Sequence, residues 1–485
     1  MNKIEKLYKT LNEESKLCPL YKKCGGCQLQ NMTYSEQLSY KQVKVIRLLG
    51  KFCHVNEIIG MENPFHYRNK VQAAFALKNG KLVSGVYQSS TGKVVPTTDC
   101  LIEDTAASEI IADVTRLAVS FKLRPFDINS RRGFLRHVLV KRGFASGQIM
   151  VVLVTAEGEF PSQTAFVNAL ISRRPEITTV VRSINKTNTG LLLGRQNEVL
   201  FGDGYIEEQL CDMIFRISPH SFYQVNPVQT EILYKTALSF AGLKADDTLI
   251  DAYCGTGTIG LIMSKHAGQV FGVEVNRDAV NDARANAKVN GVKNISFYCA
   301  DAGDFMCELA GSHRKIDAVV TDPPRAGCSR RFLESLARLS PKKVIYISCN
   351  PETLARDMRF LTAKGYRTKK IQPVDMFPFT NHVETVVQLV RKKPDTYIDI
   401  TVDMDELDLT SSEAKATYDE IKDYIFDKHC VKVSSLYIAQ IKQKHGIIER
   451  DCYNNSKKEN PNQPQCPPEK VKLIEEALRH FKMIS

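Results

Sequence analysis

From about residue 216 to 392 the apolar residues gather into short, dense runs: "DTLIDAY", "QVFGVEV", "NISFYCA", "IDAVVTD", "KVIYISC" and "TVVQLVR". Runs of this length, rich in Val and Ile, suit strands buried on both faces, and helical patterns fill the stretches between them. Strand alternating with helix predicts parallel βαβ units, hence a doubly wound, Rossmann-like α/β domain. Such a domain takes its ligands at the carboxyl ends of its strands.

The texture differs on either side. Residues 1–64 hold a cysteine cluster and a helical pattern, "SEQLSYKQVKVIRLLG". Residues 65–215 read as short strands between Gly, Asn and Asp turns, a β-rich domain. Its "KNGK" marks a hairpin, because both central positions of a tight hairpin turn need positive φ, which Asn and Gly tolerate. After residue 392 the chain turns acidic and then basic, and residues 393–485 predict a small helical extension. Ser412 is placed to cap one helix reaching about Lys428, and Ser434 or Ser435 a second ending at Gly446. Two short helices so joined are either a helix-turn-helix presenting Tyr437, Gln440 and Lys444 to nucleic acid, or a docking appendage.

Composition adds a location and a class of partner. Residues 1–16 have no apolar core of a secretory signal, and no run approaches a membrane span, so a cytoplasmic protein with no membrane partner is expected. The 66 basic against 54 acidic residues give a net charge of +12, consistent with a polyanionic partner. Fourteen cysteines without export signals predict thiols, a metal site or catalysis rather than disulfides.

The segment "LIDAYCGTGTIGLIMS", residues 249–264, is a strand, a glycine-rich turn and a helix start. Gly255, Gly257 and Gly260 let the backbone approach a ligand closely, and Glu274 at the end of the next strand is placed to accept hydrogen bonds from ribose hydroxyls. NAD and S-adenosylmethionine (SAM) both fit. "IDAVVTDPPRAG" separates them. Asp322 ends a strand and Pro323 and Pro324 stiffen its exit; an acid followed by two prolines after the fourth strand is a feature of SAM-dependent base methyltransferases. Asp301 ends "FYCAD" on a third strand tip, where it is either an adenine contact or a helix N-cap.

"VIYISCNPETLARD", residues 344–357, puts Cys349 between a buried strand and a helix whose cap is Asn350 and whose first residue is Pro351. A helix N-terminus favours the thiolate. Carbon 5 of uracil is a poor nucleophile; a thiolate that adds to C6 makes an enolate whose C5 can take a methyl group. A separate base must then remove the C5 proton. Glu384 in "NHVETVVQLV" is the candidate base, the alternative being an ordinary strand carboxylate. His382 would face the same side in a regular strand and is the weaker candidate, better read as an orienting group. "CPLYKKCGGC" supplies Cys18, Cys24 and Cys27. Four thiolates suit zinc or an iron–sulfur cluster, and the fourth must come from afar, from Cys100 or Cys53.

Taken together, "KCGGCQLQ", "SFYQVNP", "DAYCGTGTIG", "VEVN", "TDPPRAG", "SCNPETLARD" and "HVET" resemble the RNA (uracil-5-)-methyltransferase family, and within it the iron–sulfur 23S ribosomal RNA enzymes. The resemblance runs from residue 18 to 392. It implies Cys349 as nucleophile and Glu384 as base, with SAM contacts from Gln224, Tyr253, Glu274, Asp301 and Asp322. Phe222, with Gln224, is implied to border the target base, which must be unstacked to react. Cys18, Cys24, Cys27 and Cys100 match the family's ligands to a 4Fe–4S cluster. Many relatives begin with a small β-barrel RNA-binding domain; seventeen residues precede Cys18, so that domain is not expected here. The expected partner is 23S ribosomal RNA, with tRNA the alternative, and the expected state a monomer. Other classes left open are an iron–sulfur NAD-dependent oxidoreductase and a non-catalytic RNA-binding protein.

Overall fold

The computed structural model describes residues 18–392 except 89, 188–191 and 313, and then 418–484 except 430, 432, 446, 448–465 and 482. The chain divides into two compact units, Met1–Asp395 and Thr396–Ser485. Among the described residues no helix is long and apolar enough to cross a membrane.

In the first unit, the helix Tyr34–Leu49 begins at a capping box between Thr33 and Glu36. Its buried Val45 and Leu49 share a core with Leu354, Met358 and Leu361 of the helix Pro351–Ala363, more than 300 residues later. The first sheet follows, formed by β1 (Lys70–Lys78), β2 (Lys81–Tyr87), β3 (Val94–Pro96), β4 (Leu135–Arg142), β5 (Ile149–Thr155), β6 (Ile177–Ile184) and β7 (Gln196–Phe201). Their order is β3-β2-β1-β4-β5-β6-β7, antiparallel except between β5 and β6. Asn79 and Gly80 turn β1 into β2 with φ of 50° and 75°, the positive values the Asn-Gly pair predicts.

This part is more than β-rich. The helices Thr105–Ser120 and Gln163–Arg173 cover one face of the sheet, packing Ile110, Val114 and Phe166 against Val138, Val151 and Leu153. The opposite face, through Leu139, Val152 and Val181, joins the core of the second sheet. The hairpin of β8 (Ile206–Leu210) and β9 (Met213–Ile217) lies in that same core.

After the helix Pro227–Ala241, the second sheet is built from β10 (Thr248–Ala252), β11 (Gln269–Glu274), β12 (Ile295–Cys299), β13 (Ala318–Thr321), β14 (Lys343–Ser348), β15 (Tyr366–Val374) and β16 (Glu384–Arg391). The order β12-β11-β10-β13-β14-β16-β15 reverses direction between β10 and β13, which opens a crevice beyond their carboxyl ends. The first five strands are parallel, as expected. The sixth apolar run, "TVVQLVR", is not: β16 runs antiparallel to both β14 and β15. β15 itself, "YRTKKIQPV", has exposed lysines and a bulge between Thr368 and Lys370 that hide its strand character.

In the second unit three helices, Tyr418–His429, Ser435–Lys444 and Pro468–His480, close around Ile421, Ile425, Ile438, Ile441 and Leu478. Ser434 caps the second helix as expected. The Ser412 cap and the Gly446 stop lie outside the described residues. The third helix alters the helix-turn-helix reading: Tyr437 packs against this core beneath Lys470, and Lys444 stands 3.5 Å from Glu475.

Candidate active site

The registers of the second sheet align its strand ends. Ala252 pairs with both Val273 and Thr321, Glu274 with Cys299, Thr321 with Tyr346, and Ser348 with Thr385. Tyr253, Glu274, Asp322 and Cys349 therefore leave the sheet along one edge, Asp301 follows two residues beyond Cys299, and Glu384 enters the sheet at that edge.

The glycine turn is tightly constrained. Gly257 has φ 81°, and a Cβ there would stand 2.8 Å from the Phe297 ring, so any other residue would be strained and would have to push that ring aside. Glu274 is pre-oriented by the turn: Oε2 accepts from the Gly255 N–H at 3.1 Å and Oε1 from Asn276 N–H at 2.8 Å. Each oxygen keeps lone-pair capacity for a hydroxyl donor. Asp251, which the sequence reading passed over, anchors the turn from below. Its Oδ2 accepts from the Gly260 N–H at 2.7 Å, while buried Oδ1 has no partner. Burial, with Asp322 and Glu274 nearby, pushes its acid up to about 8. A polar residue inside the apolar run "LIDA" was the available signal.

Two expected cofactor contacts are engaged locally. Asp301 caps the helix Ala302–Gly311, its Oδ1 accepting from Gly303 N–H at 2.8 Å and Asp304 N–H at 3.1 Å. The helix-cap reading is therefore realised, with Oδ2 left over. Tyr253 adopts φ 63°, uncommon for a non-glycine residue, and turns its ring toward Phe332 at 5.5 Å between centroids.

The loop 218–225 brings the base-binding candidates. Phe222 is 63% exposed, between buried Ser221 and Tyr223. Gln224 lies near the hydroxyl of buried Tyr234, whose proton is held tightly by burial and by the Asp322 charge. The first sheet supports this loop: buried Lys141 donates to the carbonyls of Ser218 and Ser221 at 2.8 and 2.9 Å, and Asn69 donates to that of Gln224 at 3.2 Å.

Cys349 is half-buried at the helix start, where Asn350 caps and Pro351 leads as predicted. The expected thiolate stabilisation is offset. Burial, then Glu384 and Asp322, push the thiol up to about 11, against a smaller pull from Arg325. Glu384 is buried with Oε2 unpartnered, and burial together with Asp322 hold its carboxyl protonated well above the usual range. Asp322 is raised by burial to about 7. Three acidic groups thus share one site with the guanidinium of Arg325. That residue was inside "TDPPRAG" but not singled out. Its carbonyl accepts from Asn350 Nδ2 and Thr353 Oγ1, both at 3.2 Å, which ties the Pro-Pro loop to the nucleophile's helix. His382 precedes the strand rather than lying on it. Its Nε2 is 3.4 Å from Arg325 Nη2, so its immediate polar neighbour is that guanidinium.

Cys27 and Cys100 border one small core of Met61, Tyr67, Ile102 and Phe379. Burial raises the Cys27 thiol, with Cys24 and Cys18 adding to the effect; Cys100 is pushed up to about 12 by burial, with Glu103 and Cys27 contributing. Cys53 is elsewhere, its thiol 3.2 Å from Lys369 O. Among the described residues no three His, Cys, Asp or Glu side chains converge on a single-ion centre.

Comparison with known proteins now decides the family. A family model for tRNA (uracil-5-)-methyltransferases matches residues 189–392. A protein of Oceanobacillus iheyensis, named an uncharacterized RNA methyltransferase, is 42% identical over 76% of this chain and 82% of its own. One of the same name in Clostridium tetani is 42% identical over 76% and 81%. The chain belongs to the RNA (uracil-5-)-methyltransferase family. It is a SAM-dependent enzyme of that family. The solved tRNA (uracil-54, C5)-methyltransferase of Pyrococcus abyssi, in complex with S-adenosyl-L-homocysteine, superposes with a TM-score of 0.63 at 29% identity, covering 75% of this chain and 86% of that one. These likenesses give no support to a nicotinamide-dependent oxidoreductase, the other reading of the glycine turn.

Proposed function

We propose that this methyltransferase converts a uridine of 23S ribosomal RNA to 5-methyluridine through a covalent adduct on Cys349. The observation that carries the mechanism is the meeting of Cys349, Glu384 and Asp322 at one strand edge, beyond the Ser348–Thr385 pair. Phe222 and Gln224 hold the unstacked uracil, and the Cys349 thiolate adds to C6, leaving an electron pair on C5. Glu274 and Asp322 would hold SAM, which would supply an electrophilic methyl on a positive sulfonium whose charge would offset the local excess of negative charge; as the C5 pair takes the methyl, the S–CH3 bond breaks and neutral S-adenosylhomocysteine leaves. Glu384, ionised at that stage, takes the C5 proton, and the electron pair expels the Cys349 thiolate to restore the aromatic base.

Cys18, Cys24, Cys27 and Cys100 are proposed to hold a 4Fe–4S cluster. Supporting this, Cys27 is close enough to the other three to sense them electrostatically. Four cysteine thiolates are the ligand set a 4Fe–4S cluster takes. The four-cysteine set favours ribosomal RNA because the iron–sulfur members resembled by this chain are the 23S enzymes. The Pyrococcus likeness favours tRNA as the second reading. Nucleosides from ribosomal RNA and tRNA of cells with and without the protein separate them: 5-methyluridine should vanish from 23S RNA. Its loss from tRNA alone would reverse the assignment.

A further inference from the structure

The loop 375–383 delivers Glu384 into the crevice, and a distant part of the chain grips it. Lys41, on the helix Tyr34–Leu49, has no exposed side-chain surface; its Nζ stands 2.6 Å from Asp375 Oδ1 and donates to Phe377 O at 3.0 Å. Tyr67 donates its hydroxyl to Pro378 O at 3.0 Å. The N–H groups of Gln28 and Leu29 both donate to Phe379 O, each at 3.0 Å, and Gln37 Oε1 accepts from Phe379 N–H at 2.8 Å. Three successive carbonyls, 377 to 379, are therefore held by residues more than 300 positions earlier in the chain. Phe379 has φ 66°, a left-handed conformation disfavoured for a residue with a Cβ, which persists where surrounding contacts over-determine it. Its ring is seated against Phe65 at 5.2 Å between centroids.

We propose that Lys41, seconded by Tyr67, is a positioning residue for Glu384: the N-terminal segment holds the 375–383 loop in its strained form so that the carboxylate meets the C5 proton. This rests on Glu384 being the base. An ion pair buried only for stability makes a different prediction, since removing it would lower all steps together. Displacing Glu384 slows a single step, the last proton removal, after Cys349 has added and the methyl has moved.

The test follows Lys41→Met, Lys41→Arg, Tyr67→Phe and Glu384→Gln on ordinary uridine RNA with SAM, reading turnover and the methylated protein–RNA adduct by denaturing gel and intact mass. Lys41→Met and Tyr67→Phe should lower kcat at least tenfold and fivefold, respectively, at nearly unchanged KM for RNA. The adduct should accumulate in both, as in Glu384→Gln, and Lys41→Arg should recover part of the turnover. Tyr67→Phe keeps the ring and removes one donor, so it remains informative if Lys41→Met does not fold. Turnover and adduct falling together in folded variants, while Glu384→Gln still accumulates adduct, would overturn the positioning role alone. No adduct in Glu384→Gln would overturn the base assignment and this proposal with it.

Discussion

Cys349 and Glu384 face each other from antiparallel neighbours: Ser348 pairs with Thr385, so one residue leaves β14 at the point where the other enters β16. Each is acidic, Glu384 is buried and Cys349 half-buried, and the Glu384 charge is among the causes that raise the Cys349 thiol. An ionised Glu384 thus disfavours the Cys349 thiolate.

That antagonism gives a pH prediction. With the thiol at about 11, about one Cys349 in a thousand is thiolate at pH 8. A raised thiol ionises later, so alkylation of Cys349 by iodoacetamide should keep rising with pH well beyond pH 9. Where the pH is high enough for Glu384 to ionise, its charge opposes the thiolate, so there Glu384→Gln should speed alkylation by about three- to tenfold, one pKa unit being a tenfold change in thiolate. Peptide mass spectrometry of Cys349 reads this directly; slower alkylation in Glu384→Gln would reverse the electrostatic reading.

Glu384→Gln should also reduce turnover by about 10²- to 10⁴-fold, the range usual for a general base. The diagnostic is where the reaction stops. Methylated RNA should remain attached to Cys349 on ordinary uridine, and quench-flow product analysis showing slow methyl transfer instead would contradict the role.

The two strand-tip carboxylates Glu274 and Asp301 should part company. Glu274→Ala removes an oriented charged acceptor and should weaken SAM binding by about 10- to 100-fold, corresponding to about 1.5–3 kcal/mol. Asp301→Ala removes a helix cap and should lower stability by about 1 kcal/mol, with a smaller effect on SAM. Calorimetry and urea melts on the two variants distinguish them; equal losses of affinity would make Asp301 a principal cofactor contact.

The cysteine site leads to a metal-removal prediction. Anaerobic protein should be brown with about four irons and four sulfides per chain, as a single cubane requires. Gln28 and Leu29 directly follow Cys27 and hold Phe379 O, so stripping the cluster with a chelator and oxidant should loosen that grip. Thermal melting should drop, and the methylated adduct should accumulate. Colourless anaerobic protein with stoichiometric zinc would contradict the cluster.

Much of the second sheet was legible because its five parallel strands are short, mostly apolar runs with chemistry-bearing residues at or just beyond their ends. The glycine turn and the Asn350–Pro351 helix start were legible because backbone geometry demands those residue types. The antiparallel β16 was not, since an apolar run carries no direction. The helices over the first sheet were masked by neighbouring strands. Charges that oppose Cys349 ionisation were invisible too: Asp322 and Glu384 are far apart in sequence, and only the register makes them neighbours. Lys41 gave no signal, being one lysine in a helix full of polar residues.

The most direct measurement offers the enzyme a 5-fluorouridine RNA with SAM and maps the covalent product by mass spectrometry. Fluorine at C5 blocks the final proton removal, so a stable complex should form. It should carry the RNA on Cys349, the transferred methyl group on the base, and be abolished in Cys349→Ala. Attachment at another residue, or 5-methyluridine made at an undiminished rate by Cys349→Ala, would contradict the covalent mechanism.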